Sequence, residues 1–217
     1  MNVLMIVSPQ CQRAWQIASS LGEPIALAIA KDDSVFSSLN MPASVQRIRI
    51  WDEALDPSSL HPFDVEARHA AVIAQAARRL GTSVVLVTET QTGFVSAGIA
   101  EQLNLAHVSE VVSATLLSDG NDDPQLQVQR RGLRRLQVLR GTSQAVLAVL
   151  PSLQPDAASD QTSVVVTEWS LPDVSLTVAD LPSPQLQVVA QSARHLRPRL
   201  FLSPGALVNR LRSDGLE

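Results

Sequence analysis

The sequence predicts an α/β fold on a three-layer, mostly parallel sheet, and three observations predict it. Short uninterrupted apolar runs stand at Val3–Val7, Ile25–Ala30 and Ser83–Val87, the pattern of strands buried on both faces. Segments with apolar residues at helical spacing alternate with them. Beyond residue 107 the grammar changes to apolar stretches joined by short turns, the mark of antiparallel strands added at a sheet edge.

Taken in order, Val3–Val7 is the first strand, and Ser8-Pro9 suits a helix start, with Ser8 as cap and Pro9 in the first turn. Cys11, Ala14, Trp15, Ala18 and Leu21 then recur on one helical face until Gly22. Ile25–Ala30 is the second strand, and Val45–Ile50 a third, near an edge. Asp56–Phe63 reads as loop, with Pro62 opening the next helix. That helix runs to Leu80 along the stripe Val65, His69, Val72, Ile73, Ala76, with Arg78 and Arg79 at its negative end. Gly81 stops it. Ser83–Val87 is the strongest strand. The polar loop from Thr88 to Gly93 follows, then a helix over Phe94–Leu103. Val108–Leu117, Gln125–Arg130, Leu133–Leu139 and Ala145–Leu150 form the antiparallel group. This gives an α/β domain over residues 1–150, a linker at 151–161 and an arm at 162–217. The arm is proline-rich with little periodicity, apart from a short helix at Pro204–Arg212. It is too sparse in pattern for a core of its own, so it must lie on this domain or on a partner.

Composition narrows the function. The 217 residues are 45% hydrophobic and carry a net charge of −4, which suits a packed core and argues against a duplex-binding protein. Aromatics make up 3%, too few for a base-stacking platform. Lys31 is the only lysine, and Cys11, on a buried stripe, is the only cysteine. Schiff-base chemistry has almost no candidate, and no internal disulfide is available. The four histidines lack ligand spacing, so no metal site is expected. Ser96 sits in no GxSxG elbow, and no catalytic residue is assigned. The first apolar run is too short for a signal peptide, and no stretch reaches membrane-span length. The expectation is a soluble, cytoplasmic protein.

The loop after the fourth strand is the leading site. Ligands of open α/β sheets sit beyond the carboxyl ends of strands, at helix N-termini whose free N–H groups favour phosphate. Thr90, Gln91, Thr92 and Gly93 stand there. Capping of the following helix accounts for Thr90 and Thr92 equally well. Ser8, at the end of the first strand, either lines the same pocket or simply caps. Asp32-Asp33 follows the second strand, but without a GxGxxG a solvated loop explains it better. The arginines of Arg130–Arg135 read as a solvated strand-and-turn face.

The loop and tail together resemble the β subunit of electron-transferring flavoproteins, the family that includes the FixA proteins. There a strand leads into a loop ending Asn-Gln-Thr-Gly; here Val84–Val87 leads to Thr90-Gln91-Thr92-Gly93, with Ala97, Ala100 and Leu103 following. Arg131-Gly132 through Val146–Val149 is similar to the family's hairpin and strand. Trp169, Asp173-Val174, Pro182-Ser183-Pro184-Gln185, Val188-Val189 and Leu207 to Leu216 match its tail in order. The resemblance implies an adenine nucleotide alpha hydrolase-like fold and a heterodimer. A larger α subunit would hold most of the FAD, and the arm would embrace it. In many members AMP or a second FAD lies in the β subunit, and electrons arrive from a flavin dehydrogenase. In this chain Gln91, Thr92 and Gly93 would bind cofactor, with Thr90 and Ser8 beside them. Two departures stand out. Only Glu89 and Thr90 remain of the acidic stretch before Gln-Thr-Gly, which removes contacts to an AMP phosphate. Pro151–Asp160 replaces the family's dehydrogenase-recognition segment. The rival function is a nucleotide-binding signalling module of universal-stress-protein type. An ATP-pyrophosphatase is disfavoured, because Ser8-Pro9-Gln10 is no phosphate loop.

Overall fold

The computed structural model describes residues 1–8, 10–39, 41–88, 94–118, 124–152 and 165–182. The first strands form where the apolar runs predict them: β1 over Asn2–Ile6, β2 over Glu23–Ile29, β3 over Gln46–Ile50 and β4 over Val84–Thr88. Three helices connect them and their successors: α1 over Gln12–Leu21, α2 over Pro62–Leu80 and α3 over Phe94–Leu103. Gly81 closes α2 in the left-handed region (φ 59°), its N–H donating to the Ala77 and Arg78 carbonyls. Gly22 is needed for another reason. A Cβ there would collide with the Met1 carbonyl, beside which the chain turns into β2.

After α3 come β5 (Ala106–Leu117), β6 (Gln125–Arg131), β7 (Leu136–Thr142) and β8 (Ala145–Val149). A last short strand, β9, spans Thr167–Trp169. The sheet order is β7-β6-β5-β8-β4-β1-β2-β3-β9. Only the β5–β6 and β6–β7 ladders are antiparallel. The mostly parallel α/β architecture thus stands as expected, with one correction inside it. Ala145–Val149 is not an antiparallel edge strand. It lies between β4 and β5, parallel to both, and all five residues are buried.

Two cores flank the sheet. Val3, Met5, Leu86 and Leu147 pack on one face with Ala14, Ile17, Ala18 and Leu21 of α1; Val111, Ala114, Leu126 and Val128 of the antiparallel strands join them. Leu4, Ile48, Val85 and Val146 pack on the other face with Val72, Ile73 and Ala76 of α2 and Ile99 of α3. This sidedness follows from right-handed crossovers. The chain steps from β1 to β2 to β3 in one direction, then returns through α2 to β4 on the opposite side of β1, so α1 and α2 fall on opposite faces. The reversal between β1 and β4 is the topological switch point.

The first compact unit runs to Pro184. Residues 165–182, expected within the partner-embracing arm, cover their own domain. β9 pairs in parallel with β3, so β3 is not the edge. Leu171, Val174, Leu176 and Leu181 then bury against the α2 side. Asp173 accepts from the Ser170 N–H at 2.8 Å, and Asp180 from the Thr177 N–H at 2.8 Å, shaping two single-turn 3-10 helices. The Arg79 guanidinium lies 4.5 Å from the Trp169 ring centre, and Arg68 Nε donates to the Pro182 carbonyl at 3.2 Å. The expected terminal helix and most of the linker lie outside the described residues.

Candidate functional site

The candidate site is the carboxyl ends of β1 and β4, where strand order reverses, the place at which open α/β sheets bind ligands. The β1–β4 register pairs Met5 with Leu86, so Thr88 stands level with Val7 and just before Ser8. Alternation along β4 places Thr88 on the same face as Val84 and Leu86, the face that α1 covers.

Ser8 does not cap α1. The chain first makes a turn in which Gln10 takes φ 65°, and the helix begins at Gln12 with Cys11 as cap residue and no side-chain capping hydrogen bond. Cys11 is buried in the α1 core, as its stripe predicts. Two hydroxyls are thereby left over. Ser8 Oγ and Thr88 Oγ1 are both buried, and neither has a hydrogen-bond partner in the described structure. Thr88 as a whole is 5% exposed. A buried hydroxyl without a partner costs about 1–3 kcal/mol, so each marks a place suited to a ligand's acceptor or donor.

The first turn of α1 holds no acidic residue, and its N-terminal N–H groups carry the positive end of the helix dipole. Arg13 lies in that turn, donating to the Leu150 carbonyl at 3.4 Å. The Ser152 N–H donates to the Gln10 carbonyl at 3.1 Å, which ties the end of β8 to the turn before α1. An uncapped helix terminus, a guanidinium and two unsatisfied hydroxyls suit a phosphate monoester.

Of the predicted site residues, Ser8 falls at this crevice. Thr90, Gln91, Thr92 and Gly93 lie outside the described residues, between Thr88 at the end of β4 and Phe94 at the start of α3. Phe94 meets Phe63 edge-on, with ring centres 5.4 Å apart, and His61 stacks on Phe63. The N-termini of α2 and α3 thus carry an exposed aromatic pair beside the loop. Thr88 and Arg13 were not among the expected site residues.

Other polar clusters are structural. Asp32 accepts from the Ser34 N–H at 2.9 Å, and Ser34 hydrogen bonding holds its carboxyl below the usual range. Asp33 pairs with Arg49 at 2.7 Å. Arg47, 2% exposed, donates to the carbonyls of Met41 at 2.9 Å, Pro42 at 3.2 Å and Val45 at 3.4 Å. Ser96 Oγ lies 3.1 Å from His107 Nε2, a juxtaposition the sequence did not suggest. Ser96 is 2% exposed, however, and a nucleophile must reach its substrate. Among the described residues no group of His, Cys, Asp or Glu is arranged to hold a metal ion, and no helix is long and apolar enough to cross a membrane.

Compared with known proteins, the chain matches no family model and no curated protein.

Proposed function

We propose that this chain is the smaller, non-catalytic subunit of a heterodimeric electron-transferring flavoprotein, with an adenine nucleotide seated in the β1–β4 crevice. The observation that carries the reading is that two buried hydroxyls at the carboxyl ends of the adjacent strands β1 and β4, Ser8 Oγ and Thr88 Oγ1, have no hydrogen-bond partner in the described structure. The ordered motifs from Gln91-Thr92-Gly93 to the tail support the choice of family. AMP suits the chemistry of the residues present: the Ser8 and Thr88 hydroxyls and the Arg13 guanidinium can serve its phosphate. The FAD belongs mainly to the larger subunit and supplies the redox chemistry there. This chain supplies orientation and a binding face, so no general acid or base is required of it. That FAD, when bound, would take electrons from a flavin dehydrogenase and supply them to an acceptor.

One observation favours the rival, a self-sufficient nucleotide-binding module: residues 165–182 complete the core of their own domain. Co-expression with the larger flavoprotein subunit separates the two. The electron-carrier reading expects a stable complex with a flavin absorption spectrum. A colourless homodimer that ignores that subunit would favour the signalling module.

A further inference from the structure

Arg130 belongs by sequence to a run of solvated arginines, yet its Nε is buried and has no hydrogen-bond partner in the described structure. The strand registers show where it stands. Thr88 of β4 is level with Val149 of β8, Val149 with Val111 of β5, and Val111 with Arg130 of β6. These positions form one row across the sheet at the carboxyl ends of β4 and β8. They also share a face. Val149 and Val111 pack in the α1-side core, and Arg130 follows Leu126 and Val128, which face the same way. Arg13, in the first turn of α1, reaches this row from above. It donates to the carbonyl of Leu150, the residue after Val149, and the Leu150 N–H donates to the Val111 carbonyl at 3.0 Å. The Arg13 guanidinium thus ends over β8, one strand spacing (about 5 Å) from β4. Arg130 stands on the far side of β5, its long side chain on the same face.

Nothing acidic answers these two arginines. Among the described residues neither forms an ion pair. No carboxylate precedes Glu23, and the only one among the described residues of 106–152 is Glu110, which Arg131 engages at 3.5 Å. A buried guanidinium nitrogen is costly without an acceptor, and the guanidinium fork fits the oxygens of an oxyanion. Two positive charges without a carboxylate match the charge of about −1.5 to −2 on a phosphate group better than the single charge of a carboxylate. The N-terminal dipole of α1 acts in the same sense.

We infer that Arg130, with Arg13, forms a second phosphoryl subsite along the row from Thr88, so that a nucleoside 5′-diphosphate fills this face better than a monophosphate. The subsite stands on the two arginines and the row. That its phosphoryl group belongs to a nucleotide rests on the reading proposed above. Thr88 serves the first phosphate, Arg13 lies between the two, and Arg130 serves the second alone. Arg130 is thereby the residue that separates diphosphate from monophosphate.

Calorimetric titration of the nucleotide-free chain with AMP, ADP and inorganic pyrophosphate tests the assignment. ADP should bind the intact chain about tenfold or more tightly than AMP, and added salt should narrow the gap. Arg130→Gln should bring ADP down to the affinity of AMP and leave AMP unchanged. Arg130→Lys keeps the charge but not the fork; it should lie between, and it reads the site even where Gln unfolds the chain. Arg134→Gln, in the exposed turn after β6, should leave every affinity unchanged. Equal AMP and ADP affinities in the intact chain would overturn the subsite and leave the nucleotide reading standing. So would an ADP preference that survives Arg130→Gln, or one lost equally in Arg134→Gln. Pyrophosphate binding that depends on Arg130, in a chain that takes neither nucleotide, would support the subsite and remove the nucleotide reading. A chain that binds none of the three probes would overturn both.

Discussion

Thr88→Val should stabilise the isolated chain while weakening its site. Valine keeps the β-branched shape that β4 requires and removes only the hydroxyl. Thr88 is 5% exposed, and its Oγ1 has no partner in the described structure. Burial of an unsatisfied hydroxyl costs about 1–3 kcal/mol by protein mutation data. Relief of that cost, less some imperfect packing of the new methyl, predicts a gain of about 1–2 kcal/mol. For a domain of this size each kcal/mol moves the midpoint by about 2–4 °C. Urea unfolding of nucleotide-free protein gives the free energy, and calorimetric titration with AMP gives the affinity. The hydroxyl's bond to a charged phosphate contributes about 1.5–3 kcal/mol, so AMP affinity should fall by roughly ten- to a hundredfold. A loss of stability beyond about 1 kcal/mol would mean that the hydroxyl is satisfied within the protein, on the scale of a lost buried hydrogen bond. A stability gain with unchanged AMP affinity would mean that the hydroxyl faces no ligand.

Three further outcomes are expected. Arg47→Met keeps the volume but strips partners from the Met41, Pro42 and Val45 carbonyls; chemical denaturation should show a loss of about 3 kcal/mol. His69 is part-buried on α2 with a ring nitrogen 3.4 Å from the Leu55 carbonyl, and burial lowers its pKa below 6.5. The unfolded chain therefore binds the proton first, so stability should fall as pH drops below about 6.5, and His69→Leu should flatten that slope across pH 7 to 5 in thermal melts. Leu171→Ala removes a side chain that closes the α2-side core; it should cost about 2–4 kcal/mol and raise amide exchange along β3 and β9.

The parallel core was legible because its strands are buried on both faces and read as unbroken apolar runs. Ala145–Val149 carries the same signal, AVLAV, yet its short connection to β7 suggested a hairpin neighbour. The five-residue buried run was the better guide. Val45–Ile50 hid its arrangement because Arg47 sits in the core, and a buried arginine that serves loop carbonyls leaves no trace in periodicity. The covering segment at 165–182 was obscure because its order comes from contacts 90 or more residues away, such as Arg68 with Pro182 and Arg79 with Trp169. Ser8-Pro9 reads as a helix start, but the turn at Gln10 delays α1 and Cys11 takes the cap position. Thr88 ended an apolar run and gave no sign that its hydroxyl would be stranded. Only the register of β1 on β4 brings it level with Val7, one residue before Ser8.

The claim beneath the whole account is that the crevice between β1 and β4 holds a nucleotide. The measurement that reaches it most directly is chromatography of what heat denaturation releases from the purified complex, counted against protein. The account predicts one adenylate per chain, lost on exchange into nucleotide-free buffer and restored by added AMP. Protein that releases no nucleotide and takes up none when AMP is supplied would contradict it.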